Sequence, residues 1–390
     1  MSHTLLKDLA ERTRGLARGC AAAVDVLDDE EQAARRALEF LAGGELLTYT
    51  VPERDGGARV EGLCNSDEVS VRVLCTLRRE LSWASGMLDV MCVMQGLGSY
   101  ALARSGSEEQ RAHWLPRVAD GRAIAGFALT EPGAGSSLAD VATRAERTES
   151  GWRLSGHKTY ISNAPIADLL TILVRTSGEP GDADGLSMFL LPGGTRGIEV
   201  QPFQVIAPHP IGEVLLHDVT LPEDNLLGEE GQGLALALEV LGRFRTSVAA
   251  AACGFARRAL EESVRHLEER HQFGRPLSSF QGLRFDLAEM DTRLAAAELL
   301  VEQAAEAVDE GRDATRLVAR AKLFATEAAG WICDRAVQHL GGKGVRQGEI
   351  VERLYRDVRA LRIYEGTSEV QKLILAKELL GVMRKTGSSE

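Results

Sequence analysis

The sequence predicts a mostly helical α+β protein in which a block of strands is set between two blocks of helix. Three observations carry that expectation. From the start to about residue 122, apolar residues recur at helical spacing, as in "AARRALEFLAGGELL" and "EEQRAHWLPRVADG", with the loop "VPERDGGARVEG" between them. Between about 123 and 232 the pattern shortens to "GWRLSGHKTYIS", "DLLTILVRT", "GLSMFLLP" and "GEVLLHDVTLP". These runs are rich in branched and aromatic residues and bounded by Gly, Pro, Asp and Ser-Gly turns, as strands are. From about 233 long helices return, and "LRFDLAEMDTRLAAAELLVEQAAEAV" sets Leu283, Leu287, Met290, Leu294 and Ala297 along one face. Helix, sheet, helix without βαβ alternation argues against a Rossmann domain. The expected domains are residues 1–122, 123–232 and 233–390.

Composition narrows the function classes. A chain of 390 residues with 44% hydrophobic residues can bury a substantial core. Its 45 basic and 57 acidic side chains leave a net charge of −12, which disfavours nucleic acid or an anionic membrane as a broad partner. No apolar run approaches the roughly 20 residues of a membrane helix, and "MSHTLLKDLAERTRGLARGC" lacks a signal-peptide core. Its three arginines suggest a transit peptide, but Asp8 and Glu11 oppose that reading, and a cytoplasmic location is expected. Cys20, Cys64, Cys75, Cys92, Cys253 and Cys333 are scattered with no C-x-x-C pair, so free thiols are expected, with no disulfide framework and no metal site.

Several segments could carry chemistry. "FALTEPGAGSSL" (Phe127 to Leu138) opens the strand block with two glycines that let a ligand approach the backbone and with hydroxyls at Thr130, Ser136 and Ser137. Alone it reads equally as a turn, because the third glycine of a dinucleotide fingerprint is missing. "KTYISN" alone reads as strand packing. "ERHQFGRPLSSFQ" presents Arg270 and Phe273 where a helix stops, which a C-cap also explains. In "AVQHLGGKGVRQGEIVERLYRD" three glycines and a run of cations suit a pyrophosphate or, alternatively, a solvated face paired with Glu349, Glu352 and Asp357. "YEGTSEVQ" places Glu365 just before a Gly-Thr-Ser turn at a helix start, where the helix dipole alone favours an acid.

In this order and spacing, over nearly the whole chain, these segments together with "VPERDGG" resemble the acyl-CoA dehydrogenase family of flavoenzymes. The resemblance implies an N-terminal helical domain, a middle β-barrel-like domain and a C-terminal four-helix bundle, assembled as a homotetramer with FAD held across a subunit interface. It places the flavin ring against Phe127, Leu129, Thr130, Tyr160, Ile161 and Ser162, with Ser162 nearest the reactive nitrogen. It places the ADP half at Arg270, Phe273, Gln281, Gln338, Gly341 and Gly342, adds Thr367 and Glu369 as FAD contacts, and lines the thioester channel with Ser136, Arg245 and Gly366.

The implied chemistry is removal of two hydrogens across the Cα–Cβ bond of an acyl thioester. A base must stand over the weakly acidic α-proton while the thioester carbonyl is hydrogen-bonded. Glu365 fits that base, since burial among apolar acyl and flavin surfaces raises a carboxyl's pKa toward neutrality. Family members that act on isovaleryl thioesters carry the base one residue before the arginine that matches Arg245; here that residue is Phe244, so only Glu365 can serve. Departures also occur. Gly242 stands where straight-chain members have aspartate, which leaves a carrier-protein-bound thioester open beside acyl-CoA. Ser137 and Tyr160 replace a common aspartate and tryptophan. Electron-transferring flavoprotein is the expected acceptor. An oxygen-using oxidase or monooxygenase and a redox-silent binding protein are the other readings, the last opposed by the acidic balance and by Glu365.

Overall fold

A computed structural model describes residues 2–387; Met1 and residues 388–390, the outer ends of the expected flanking domains, lie outside the described residues. Five helices come first: α1 (Ser2–Asp25), α2 (Glu30–Gly43), α3 (Val71–Ala84), α4 (Gly86–Ser105) and α5 (Glu108–Ala119). Eight strands follow: β1 (Ala125–Ala128), β2 (Arg144–Thr148), β3 (Gly151–Ser162), β4 (Leu169–Arg175), β5 (Leu186–Pro192), β6 (Ile198–Pro202), β7 (Ile211–Leu221) and β8 (Leu226–Leu227). Then come α6 (Gly233–Glu269), the small hairpin β9 (His271–Gln272) and β10 (Arg275–Pro276), and the helices α7 (Gln281–Asp309), α8 (Thr315–Leu340), α9 (Ile350–Arg359) and α10 (Ser368–Gly387). The order helix, sheet, helix is the one expected from periodicity. Among the described residues no helix is long and apolar enough to cross a membrane. All six cysteines are free, and five of them are buried.

Contacts divide the chain into two compact units, one mainly of Arg18–Ser70 and Met87–Phe244, the other of His3–Ala17, Val71–Gly86 and Arg245 onward. In the first, local sequence sets the helix starts. Asp29 accepts a bond from the Gln32 amide at 2.9 Å before α2. Before α5, Ser107 and Gln110 form a reciprocal capping box at 3.1 and 2.9 Å. α4 is buried almost all round and acts as the floor of the sheet. Its Gly98 approaches so closely that a Cβ there would lie 2.6 Å from the Gly126 nitrogen, and the Gly98 carbonyl accepts from Thr171 Oγ1 at 2.9 Å. Gln95 of the same helix accepts from the Ala125 amide at 3.0 Å and donates to the Ala123 carbonyl at 2.7 Å. β1 is thereby fixed at both ends of its first residues.

The sheet runs β6-β7-β3-β2-β4-β5-β8, with β1 added parallel to β4. Trp152, Leu154, Ile161, Ile172, Phe189, Val214 and Leu216 alternate into one core. The pairing of β3 with β7 slips between Lys158 and Ile161, a bulge that re-aims the side chains after it.

In the second unit the core is built from small side chains: Ala249 to Ala252 on α6, Ala304 and Ala305 on α7, and Ala321, Ala325 and Ala329 on α8. Small residues let helix backbones approach. α3 meets α6 this way, Ser82 Oγ donating to the Ala251 carbonyl at 3.0 Å. A Cβ on Gly254 would overlap Ser82 Oγ and the Arg79 carbonyl oxygen. Gly254→Ala is therefore expected to destabilise the protein by about 1–3 kcal/mol through overpacking. A denaturation midpoint that falls with an unchanged m-value is the expected result, and an unchanged midpoint would refute this account of the contact.

Candidate functional site

In the first unit, the segments after β1 and at the end of β3 are joined by one buried lysine. Lys158 Nζ donates to the Leu129 carbonyl at 2.9 Å and to Glu131 Oε1 at 2.7 Å. The Glu131 carboxylate also accepts from the amides of Ala142 at 2.8 Å and Thr143 at 3.0 Å, closing the "TEPGAGSSL" loop. Burial pushes Lys158 down to about 8, with Glu131 opposing; burial would raise Glu131, but Lys158 and the bonds from Thr143 and Ala142 together hold it below the usual carboxylate range. The Thr159 amide bonds the Thr130 carbonyl at 3.0 Å. Phe127, Leu129, Thr130, Tyr160, Ile161 and Ser162, all expected at one surface, are thus gathered on neighbouring strand ends. Phe127, Leu129 and Ile161 are buried, whereas Ser136 stands exposed in the loop.

Tyr160, inside the bulge, has φ 56°, and Asn163, just past the end of β3, has φ 65°. Tyr160 is 64% exposed, and its ring meets Phe203 edge-on at 5.2 Å between centroids. Ser162 Oγ lies 2.9 Å from His209 Nε2.

In the second unit, Arg245, Glu365, Gly366 and Thr367 come together. Glu365 has φ 52° and Gly366 φ 93°, so two successive residues are left-handed. Arg245 Nε donates to the Glu365 carbonyl at 2.9 Å. The Gly366 carbonyl accepts from Lys322 Nζ at 2.7 Å and Gln371 Nε2 at 3.0 Å. Gly366 is required here, because a Cβ would lie 2.7 Å from Gln371 Nε2 on a backbone that strains any side chain. Thr367 Oγ1 accepts from the Val370 amide at 3.2 Å and caps α10, and Ser368 Oγ donates to Glu327 at 2.6 Å. Burial pushes Lys322 down to about 8, with Glu365 opposing; burial also lowers Arg245, again against Glu365. Glu369 is exposed and held below the usual carboxylate range by its own backbone amide and by Thr367.

The other expected residues form exposed groups on the same unit. Arg270 lies between α6 and β9, Phe273 lies in the turn of the β9–β10 hairpin, and Gln281 starts α7. Phe273 has φ 54° and is 90% exposed. Gln338, Gly341 and Gly342 lie at the end of α8, and a Cβ on either glycine would meet no atom within 4 Å. Only six non-glycine residues among those described have positive φ, and Tyr160, Phe273 and Glu365 are three of them. Such strain persists where the surroundings over-determine it and concentrates at working sites.

Sequence reasoning missed Lys158, Glu131, His209, Lys322 and Gln371. Lys322 carried a signal: it falls in helical register with Val318, Ala325 and Ala329, an apolar stripe in which a lysine needs a partner. Lys158 and Glu131 lay inside "KTYISN" and "TEPGAGSS" as opposite charges that the fold pairs.

The chain matches the family models "Acyl-CoA dehydrogenase, N-terminal domain" over residues 6–122, "middle domain" over 126–219 and "C-terminal domain" over 231–380. It is 35% identical over 338 residues to cyclohexane-1-carbonyl-CoA dehydrogenase of Geobacter metallireducens, covering 86% of each chain. It is 33% identical to the caffeyl-CoA reductase-Etf complex subunit CarC of Acetobacterium woodii, covering 97% of each. Among solved structures, the glutaryl-coenzyme A dehydrogenase glutaryl-CoA complex superposes with a TM-score of 0.89 at 31% identity, covering 97% of this chain and 95% of that one. The FAD complex of PigA superposes with a TM-score of 0.84 at 27% identity, covering 96% and 97%.

Lys322 offers a test of how the second-unit cluster is held. Its folded pKa, about 8, lies below its ordinary 10.5, so between those values the unfolded chain holds a proton the folded one has lost. Stability should therefore rise with pH across that window. Lys158 has the same sign of shift, so Lys322→Met should reduce that rise without abolishing it. The variant should also lower overall stability by about 1–3 kcal/mol, because the half-buried Gly366 carbonyl loses the charged one of its two donors and keeps only Gln371. Chemical denaturation of both proteins at several pH values reads this, and identical pH slopes would exclude it.

Proposed function

This chain belongs to the acyl-CoA dehydrogenase family, and from that premise we propose that it removes two hydrogens across the Cα–Cβ bond of an acyl-CoA thioester, with Glu365 taking the α-proton. It is an oxidoreductase whose cofactor is FAD. The residues present fit that group: Tyr160 and Phe273 are large aromatic rings held out into solvent on left-handed backbone, ready for a planar partner, and Gly341 and Gly342 leave open backbone for a phosphate or ribose. When bound, FAD supplies the acceptor for the β-hydride. In this reading Phe127, Leu129, Thr130, Tyr160, Ile161 and Ser162 face the ring. Arg270, Phe273, Gln281, Gln338, Gly341 and Gly342 hold the ADP half, with Thr367 and Glu369 as further contacts.

The observation that carries the reading is the fixed backbone of Glu365. A base contributes only if it stays over the proton it takes, and the bonds from Arg245, Lys322 and Gln371 to residues 365 and 366 prevent the turn from relaxing to ordinary φ. The amide of Glu365 is proposed to donate to the thioester carbonyl, steadying the charge that develops when the α-proton leaves. Arg245, Gly366 and Ser136 are proposed to line the thioester channel. The alternative base position, Phe244, is fully buried and cannot carry a proton.

Electron-transferring flavoprotein is proposed as acceptor, a reading supported by the similarity to a subunit of a reductase-Etf complex. A homotetramer is proposed from the exposed Phe273, Phe285 and Leu299, large apolar side chains of the kind a partner surface covers. Residues 1–122, 123–232 and 233–390 are kept as the proposed domains. A cytoplasmic location is proposed, since free, mostly buried thiols suit a reducing compartment.

Anaerobic mixing of the FAD-loaded protein with a panel of acyl-CoA thioesters should bleach the flavin for at least one of them. Glu365→Gln should slow that bleaching by about 10²–10⁴-fold with FAD content and thermal midpoint unchanged. A variant that bleaches at the parent's rate would remove Glu365 from the role of base.

A further inference from the structure

His209 sits between β6 and β7 in the sequence Pro208-His209-Pro210, and its half-buried ring is bonded at both nitrogens. Nδ1 lies 2.8 Å from the Ala207 carbonyl oxygen, which can only accept, so Nδ1 carries a proton. Burial lowers the ring's pKa, and the Ala207 carbonyl only partly opposes it, so the imidazole is neutral near neutral pH. In a neutral ring protonated at Nδ1, Nε2 is a lone pair. The proton in the 2.9 Å bond to Ser162 must then come from the serine.

The loop has little freedom to change this arrangement. Two prolines flank the histidine and fix their own φ. The Asn163 amide, next to Ser162, bonds the Pro210 carbonyl at 2.7 Å, and the Phe203 amide closes the loop on the Ile211 carbonyl at 3.2 Å. On the adjoining strands, His157 and Glu213 are bonded to each other at 3.0 Å.

We infer that His209 is a positioning residue that turns the Ser162 proton inward, so that Ser162 offers the flavin lone pairs and no proton. The inference rests on the placement of Ser162 at the flavin ring proposed above. An oxidised flavin ring nitrogen is an acceptor and would find no donor in the Ser162 hydroxyl, whereas a reduced flavin carries N–H and would find an acceptor there. The His209–Ser162 bond therefore favours the reduced cofactor and raises its midpoint potential. Serine alone, free to rotate, would serve the oxidised form equally well.

The test is the midpoint potential of the bound FAD near pH 7, measured by spectroelectrochemistry in four proteins: the parent, His209→Phe, Ser162→Ala and the double variant. His209→Phe keeps a ring but removes the acceptor, and His209→Leu replaces it should the phenylalanine fold poorly. Removing the acceptor should lower the reduced-to-oxidised ratio at fixed potential about tenfold, which is about 30 mV for a two-electron couple. In the Ser162→Ala background the same change should have no effect, an outcome that a merely structural role for His209 would not produce. A His209 variant with the parent's potential, or a shift that persists undiminished without Ser162, overturns the inference. A parent protein that binds no FAD overturns the functional reading itself, and with it this inference; FAD that binds and bleaches with acyl-CoA, yet is indifferent to His209, overturns the inference alone.

Discussion

The turn at residues 365 and 366 in the second unit depends on two consecutive carbonyl oxygens, those of Glu365 and Gly366. Holding a non-glycine residue left-handed costs about 1–3 kcal/mol. The offset comes from outside. Arg245 on α6 and Lys322 on α8 bring charged donors, and Gln371 on α10 brings a neutral one. A bond to a charged group contributes about 1.5–3 kcal/mol and a neutral one about 0.5–1.5, so the three together exceed the strain. Three helices converge on one turn, and the alanine-rich core lets two of them, α6 and α8, pack closely enough to bring their donors to it.

The first unit solves a similar problem by a different route. One of its strained residues, Tyr160, is made by a slip in strand pairing, and the neighbouring ends are tied by a buried ion pair. A buried pair seldom adds stability over a well-packed apolar pair, because desolvation consumes most of the Coulomb gain. What Lys158 and Glu131 supply is directional. One ammonium fixes the end of β1 and one carboxylate fixes two amides eleven and twelve residues on, so the loop between them has a single path.

Much of this was legible in the chain. Periodicity set helix, strand and helix blocks, and the motif residues fall on strand ends, a hairpin, a helix end and a turn, where backbone is accessible. What stayed hidden has a common cause. The Tyr160 bulge is set by pairing with β7, more than fifty residues away, and no local pattern encodes which residue takes the extra position. His209 and Ser162 are 47 residues apart, and nothing in Pro-His-Pro names its partner. Lys322 announced itself as a misplaced charge on an apolar stripe, but its acceptor lies 44 residues on. Sequence exposes the residue that needs a partner more readily than it exposes the partner.

Phe244 shows why the proposed base at Glu365 would be hard to move. Consecutive residues on an α-helix point about 100° apart, so Phe244 and Arg245 face different surroundings although they adjoin. The Phe244 ring is fully buried, meets Tyr100 edge-on at 5.6 Å, and occupies the space a Cβ on Gly96 would need. A carboxylate at position 244 would be desolvated there, at a cost of several kcal/mol, and would leave a gap against Gly96 and Tyr100. On the proposed chemistry, Gly96 and Phe244 are matched in volume to a chain that keeps its base at Glu365, and a transfer of the base to the helix would require both to change together.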